Sequence, residues 1–109
     1  MKISVCVIGL NEEKNLPDCL KSVKGIADEI VYVDSFSSDK SCAIAKKFGA
    51  RVFKQKFLGH VGQKNFAVKK AKNDWILSLD CDERLSDKAV ESIYALLEKG
   101  ESGANGVNA

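Results

Sequence analysis

An α/β fold, with a mostly parallel sheet flanked by helices, is predicted by three features of the sequence. Short β-branched runs alternate with segments whose apolar residues recur at helical spacing. Such alternation belongs to parallel sheets, because each return to the same sheet edge needs a helical crossover. Three of the four predicted strands also finish on polar residues: Asn11-Glu12, Asp34 and Asp80-Cys81-Asp82. In open parallel sheets, ligands bind outside the carboxyl ends of the strands.

The elements follow in order. Ile3 to Ile8 is a buried strand ending near Gly9. Asn15 can cap the next helix, with Pro17 tolerated in its first turn. In that helix Leu16, Cys19, Leu20 and Val23 fall on one face. Glu29 to Val33 is a second strand, closed by Asp34. The loop Asp34-Ser35-Phe36-Ser37-Ser38-Asp39 leads to a helix from Lys40 to Phe48, with Gly49 suited to the position after its end. Arg51 to Lys54 is a third strand. Gln55 to Gly62, with Gly59 and Gly62, reads as a loop. Gln63 to Lys72 reads as a helix burying Phe66, Ala67 and Ala71. Trp75 to Leu79 is the fourth strand. Ser86 caps a last helix, with Val90, Ile93, Tyr94 and Leu97 on one face. Residues 99–109 form a Gly-rich tail without apolar period, set apart from a folded unit over 1–98.

Composition narrows the function classes. No apolar run approaches the roughly 20 residues of a membrane helix, and the start shows no small-residue cleavage site. A cytoplasmic protein is the expectation, with peripheral placement at the inner face of a membrane. Cys6, Cys19, Cys42 and Cys81 form no Cys-x-x-Cys pair and His60 is the lone histidine, so four reduced, packed thiols are expected rather than a zinc site. Ten cations and no acid lie between Lys40 and Asn73. A solvated helix face accounts for most of them, but the block also fits a diphosphate, an acidic glycan or a membrane surface. Nucleic acid is not expected, since net charge is only +2 and aromatics are few.

The chemistry gathers at the strand ends. Asp80 and Asp82 can together hold a hard divalent cation, Mg²⁺ or Mn²⁺, completed by water and phosphate oxygens. The same pattern also occurs as a solvated loop leading to a helix cap. Asp34 can accept the N3–H of a uracil ring or a ribose hydroxyl, or bond its own loop backbone. Asp39 is split between a helix cap and a ligand contact. Asn11 offers a donor and an acceptor, whereas Glu12 and Glu13 also suit a helix start. Lys64 sits at a predicted helix start, where the dipole does not favour a cation, so a phosphate partner would explain it.

Four segments in this order, Ile8-Gly9-Leu10-Asn11-Glu12-Glu13, Val33-Asp34-Ser35-Phe36-Ser37-Ser38-Asp39, Gln63-Lys64-Asn65 and Leu77-Ser78-Leu79-Asp80-Cys81-Asp82-Glu83, resemble the N-terminal half of family 2 glycosyltransferases. The likeness covers about residues 1 to 98 and is greatest to bacterial lipopolysaccharide-core glucosyltransferases. It implies a Rossmann-like GT-A nucleotide-binding half. It also implies a UDP-sugar donor, a glycan or lipid-linked saccharide acceptor, and inversion at the anomeric carbon. By position, Asn11, Glu12 and Asp34 match nucleotide-binding residues, Asp34 as the reader of uracil. Lys64 matches a basic residue near base and phosphates, Asp80 a carboxylate near the ribose, Asp82 the metal ligand, and Asp39 a more structural loop residue.

Two positions depart from the family pattern. Gly9 stands where many members have Thr or Ser, and Cys81 where Ala is frequent, which raises redox-sensitive metal binding as an idea. The family's general base is expected beyond Ala109, so the chain by itself is expected to be inactive and to self-associate. The alternatives are a nucleotide-binding module without transfer activity and, less favoured, a haloacid-dehalogenase-like phosphatase. The phosphatase would carry its Asp-x-Asp on the first strand rather than the fourth.

Overall fold

The computed structural model describes residues 2–98 and 106–108. Five strands form one sheet: β1 (Ile3–Gly9), β2 (Glu29–Asp34), β3 (Arg51–Lys54), β4 (Trp75–Asp80) and β5 (Gly106–Asn108). Their spatial order is β3-β2-β1-β4-β5, and every pairing is parallel. The helices are α1 (Leu16–Val23), α2 (Ser41–Lys47), α3 (Gly59–Lys70) and α4 (Asp87–Glu98).

Alternation along the strands divides the core. Val5, Val7, Tyr32, Leu77 and Leu79 point to one face, where α1, α2 and α4 deliver Leu16, Leu20, Ala45 and Ile93. Cys6, Ile8, Val31 and Val33 point to the other face, which Ala67 of α3 covers together with Phe66. The chain thus runs outward from β1 to β3 with helices on one face, then returns over the other face through α3 to β4. Strand order reverses between β1 and β4, and a crevice opens at the carboxyl end of such a reversal.

Local signals explain the helix ends in part. Gly49 has φ +84° after α2, its N–H donates to the Lys46 carbonyl at 3.0 Å, and the Ala50 N–H donates to that of Ala45 at 3.0 Å. This paired closure, with a left-handed residue, is the role expected of Gly49. The Ser86 hydroxyl caps α4 by accepting the Ala89 N–H at 3.1 Å. Asn15 makes no capping bond to α1. Its amide instead donates to the Glu12 carboxylate at 3.4 Å.

Three expectations are revised. α3 begins at Gly59 rather than Gln63. Gly62 lies inside it because a Cβ there would stand 2.8 Å from the Leu58 Cβ, so this glycine admits a neighbour and does not break the helix. Tyr94 is 44% exposed and not on the buried face, its hydroxyl reaching the Gly25 carbonyl at 3.0 Å; the side chain of Leu97 lies outside what is described. Residues 106–108, read as tail, pair with β4 from Ile76 to Ser78, while 99–105 and 109 lie outside the described residues.

Candidate active site at the strand ends

A cleft of about 360 Å³ lies at the reversal point, within the size range of small-molecule sites. The end of β1 supplies Gly9, Leu10 and Glu12; the end of β4 supplies Asp80, Cys81 and Asp82. Ser35, just past β2, and Phe57, His60 and Gln63, around the first turns of α3, add to the wall.

The β4 turn is braced in both directions. The Asp80 N–H donates to the Glu83 carboxylate at 2.8 Å, and the Glu83 N–H donates to the Asp80 carbonyl at 2.9 Å. The turn carries Asp82 at its exposed apex, where its carboxylate has no hydrogen-bond or ion-pair partner among the described residues. Lys64 reaches the same place: its Nζ stands 3.7 Å from Asp80 Oδ1, with both side chains about two-fifths exposed. A pair so open to water holds weakly and is free to take a charged ligand. Lys64 is in the second turn of α3, not at a helix start, so the dipole argument for a phosphate partner lapses and this proximity to Asp80 replaces it.

In the β2 loop Asp34 bonds its own loop, the second of the two readings open to it. Asp34 is fully buried. Its Oδ1 accepts the Tyr32 hydroxyl and the Ser37 hydroxyl, each at 2.6 Å, and its Oδ2 accepts the Ser37 N–H at 2.7 Å. Burial alone would raise the Asp34 pKa, but these bonds, with a further one from Cys42, hold it below the usual carboxylate range. Asp34 therefore shapes the loop, and the residue that the loop turns into the cleft is Ser35.

Asn11 and Asp39 lock that loop to the β1 end. Asn11, at φ 53°, accepts the Ser38 N–H on its side-chain oxygen at 2.8 Å, and its own N–H donates to the Ser37 hydroxyl at 2.7 Å. Asp39 accepts the Ser41 N–H at 2.9 Å and the Glu13 N–H at 3.1 Å. Burial opposes ionisation of Asp39, and the Ser41 and Glu13 bonds outweigh it, keeping its pKa low. Phe36 sits between these anchors at φ 62° and 60% exposed, a costly conformation for an aromatic residue that the surrounding bonds enforce. The structure thus gathers Glu12, Asp80 and Asp82 at the cleft, with Lys64 beside Asp80, and places Asn11, Asp34 and Asp39 outside its wall.

Gln63 also lines the cleft, a placement that the sequence did not mark. It is fully buried, its Nε2 donates to Ser35 Oγ and to the Gln55 carbonyl, both at 3.1 Å, and its Oε1 accepts the Leu58 N–H at 3.1 Å. His60 packs edge-on against Phe57 at 5.3 Å between ring centroids. The signal for Gln63 was its place in Gln63-Lys64-Asn65; nothing marked Phe57 or His60 within a segment read as loop.

The two family departures prove to be one. A Cβ on Gly9 would lie 2.6 Å from Cys81 Sγ and 3.0 Å from the Tyr32 hydroxyl. The Cys81 thiol fills that space and donates to the Ile8 carbonyl at 3.1 Å. Burial pushes its pKa up, with Cys19 and nearby carboxylates adding to the rise. A buried, protonated thiol facing β1 gives no support to redox-sensitive metal binding. Gly9→Ser is expected to cost about 1–3 kcal/mol through overpacking. Cys81→Ala should recover much of that loss, as coupling in a urea-unfolding double-mutant cycle. Strictly additive costs would separate the two positions.

Residues 4–108 match the family model described as Glycosyl transferase family 2. An uncharacterized glycosyltransferase of Rickettsia bellii is 48% identical over 92 residues, covering 84% of this chain and 31% of the relative. The lipopolysaccharide core biosynthesis glycosyltransferase LpsC of Rhizobium meliloti is 36% identical over 98 residues, covering 85% of this chain and 36% of LpsC. Among solved structures, S. aureus TarS 1-349 superimposes with a TM-score of 0.77 at 26% identity, over 91% of this chain and 33% of that one. Glucosyl-3-phosphoglycerate synthase of Mycobacterium tuberculosis, in complex with Mn²⁺, UDP and glucosyl-3-phosphoglycerate, gives 0.62 at 25% identity, over 73% of this chain and 33% of that one. The chain spans about a third of the length of these relatives. With a GT-A-type sheet, a crevice at its strand reversal and a family match over nearly all its length, the chain belongs to glycosyl transferase family 2.

Proposed function

We propose that this chain is the donor-binding half of an inverting glycosyltransferase that uses a UDP-sugar and a glycan or lipid-linked saccharide acceptor. One observation carries the reading: Asp80 and Asp82 at the end of β4 open on the same cleft as Glu12 and Ser35, with Lys64 3.7 Å from Asp80. Support for the donor comes from the Mycobacterium tuberculosis synthase, whose structure holds UDP and Mn²⁺. Support for a lipopolysaccharide-type acceptor comes from the likeness to LpsC.

The donor set fits a hard cation. Asp80 and Asp82 offer carboxylate oxygens, and Asp82 is exposed without a competing partner among the described residues. Among those residues no three acidic, histidine or cysteine groups converge as a complete cage. An ion held by two carboxylates would need the donor's diphosphate to finish its shell. Asp80 and Asp82 would hold Mg²⁺ or Mn²⁺, which would supply positive charge to offset that of the diphosphate. Lys64 adds a cation on the same side, Glu12 faces the donor from β1, and Asn11, Asp34 and Asp39 act on the nucleotide through the loop they hold. Residues 1–98 form the donor-binding unit in this reading, with 106–108 adding β5 to its sheet.

No described helix is long and apolar enough to cross a membrane. A membrane-bound acceptor would be met from the side, by the basic segment between Lys40 and Asn73. The test of the donor reading is calorimetry with UDP, with and without Mn²⁺. Mn²⁺ should strengthen binding to the parent chain by at least about tenfold, or 1.4 kcal/mol. Asp82→Asn should remove that gain while leaving metal-free binding in place. A gain that survives the substitution would return the Asp-x-Asp turn to a merely structural role.

A further inference from the structure

The end of β2 presents two adjacent residues of opposite situation. The Asp34 carboxylate is buried and committed to Tyr32 and Ser37. Ser35 is half-buried and lines the cleft. Its hydroxyl already accepts one hydrogen bond, from Gln63 Nε2 at 3.1 Å.

The orientation of that amide is set by its other partners. Gln63 Nε2 also faces the Gln55 carbonyl, which can only accept, and Oε1 faces the Leu58 N–H, which can only donate. Turning the amide over would set oxygen against oxygen and N–H against N–H in a buried place. Gln63 must therefore donate to Ser35. That leaves the Ser35 hydroxyl with one proton and one lone pair for a ligand.

We propose that Ser35, positioned by Gln63, reads the nucleobase edge of the donor, and that it does so permissively. The inference rests on the donor reading above. Uracil carries a proton on N3 and cytosine a lone pair. A carboxylate can only accept and would reject cytosine. A hydroxyl accepts from the one and donates to the other, so it holds both. The uracil-reading role expected of Asp34 passes to its neighbour, and with it goes the strict preference for uracil.

The experiment is calorimetry of UDP and CDP with Mn²⁺ on the parent chain, Ser35→Ala and Ser35→Asp, with melting curves to confirm folding. The UDP-to-CDP affinity ratio is the readout, because both nucleotides carry the same diphosphate and the charge change in Ser35→Asp cancels. The parent chain should hold the two within about threefold, and Ser35→Ala should weaken both. Ser35→Asp should favour UDP by about tenfold or more, since an acceptor facing cytosine N3 leaves buried groups unpaired. A parent chain that prefers UDP more than tenfold, and keeps that preference in Ser35→Ala, would overturn the inference and leave the donor reading standing. Failure of either nucleotide to bind the parent chain would overturn both.

Discussion

Assayed alone, these 109 residues are expected to bind a UDP-sugar and to transfer nothing measurable to a glycan acceptor. The carboxylates that line the cleft are Glu12, Asp80 and Asp82, and the donor reading uses all three. The other titratable groups in its wall are Cys81, whose buried thiol donates to the Ile8 carbonyl, and His60, on the first turn of α3 against Phe57. Glu98 ends α4 and Glu101 lies outside the described residues. A positioned general base contributes about 10²–10⁴-fold, and alignment of the acceptor contributes more. A chain without both is expected to turn over donor only at background. The same chain is expected to self-associate: Leu10, Phe36, Phe57, Leu58 and Val61 are each more than half exposed at the strand-end side. The check is donor turnover beside a full-length relative, with light scattering for mass. Turnover comparable to the relative's would put the base within this chain, with His60 and Glu12 the residues to substitute first. A monodisperse monomer would remove the self-association alone.

The fold was legible because its signals are redundant. β1 and β2 are apolar runs buried on both faces, β4 buries Trp75, Leu77 and Leu79 on one face, and α1 shows Leu16, Cys19, Leu20 and Val23 at strict helical spacing, all buried. The start of α3 was hidden by chemistry that contradicts its usual meaning. Gly59 and Gly62 read as breakers, yet Gly62 is inside the helix because Leu58 packs where its side chain would stand. The strand Gly106–Asn108 has too few residues for any period to show, and its place comes from pairing with β4.

The site was legible in its members and less so in their roles. Asp80, Asp82 and Glu12 line one cleft, and Lys64 stands 3.7 Å from Asp80. A sequence shows that Asp34 ends a strand, but not which way the chain turns next. Tyr32, two residues back and pointing to the same face, takes one carboxylate oxygen, and Ser37 takes both. That competition between a ligand and local partners is settled only by three-dimensional distance. Gln63 was opaque for the same reason: its three partners lie 5, 8 and 28 residues away.

Asp34→Ala should be among the most damaging single substitutions in the chain. It strips partners from the Tyr32 hydroxyl, the Ser37 hydroxyl and the Ser37 N–H. Hydrogen bonds to a charged group are worth about 1.5–3 kcal/mol each, and orphaned buried donors add to the loss. A cost of about 3 kcal/mol or more is expected, a large share of the roughly 5–15 kcal/mol that holds a domain together. Asp34→Asn should recover part of it. Its amide oxygen can still meet the Ser37 N–H, and the two hydroxyls can rotate to accept from its nitrogen, though their own protons are then left over.

pH separates the two effects. The folded-state pKa of Asp34 is lowered, so its contribution is present above the unfolded value of about 3.9 and is lost as pH falls through the folded one. Urea unfolding from pH 7 to pH 3 should therefore show the gap between the parent chain and Asp34→Asn shrinking as the pH drops. A gap that stays constant over that range would mean that the charge on Asp34 does not stabilise the loop. The shape of the Asp34 side chain would then be all that the fold requires.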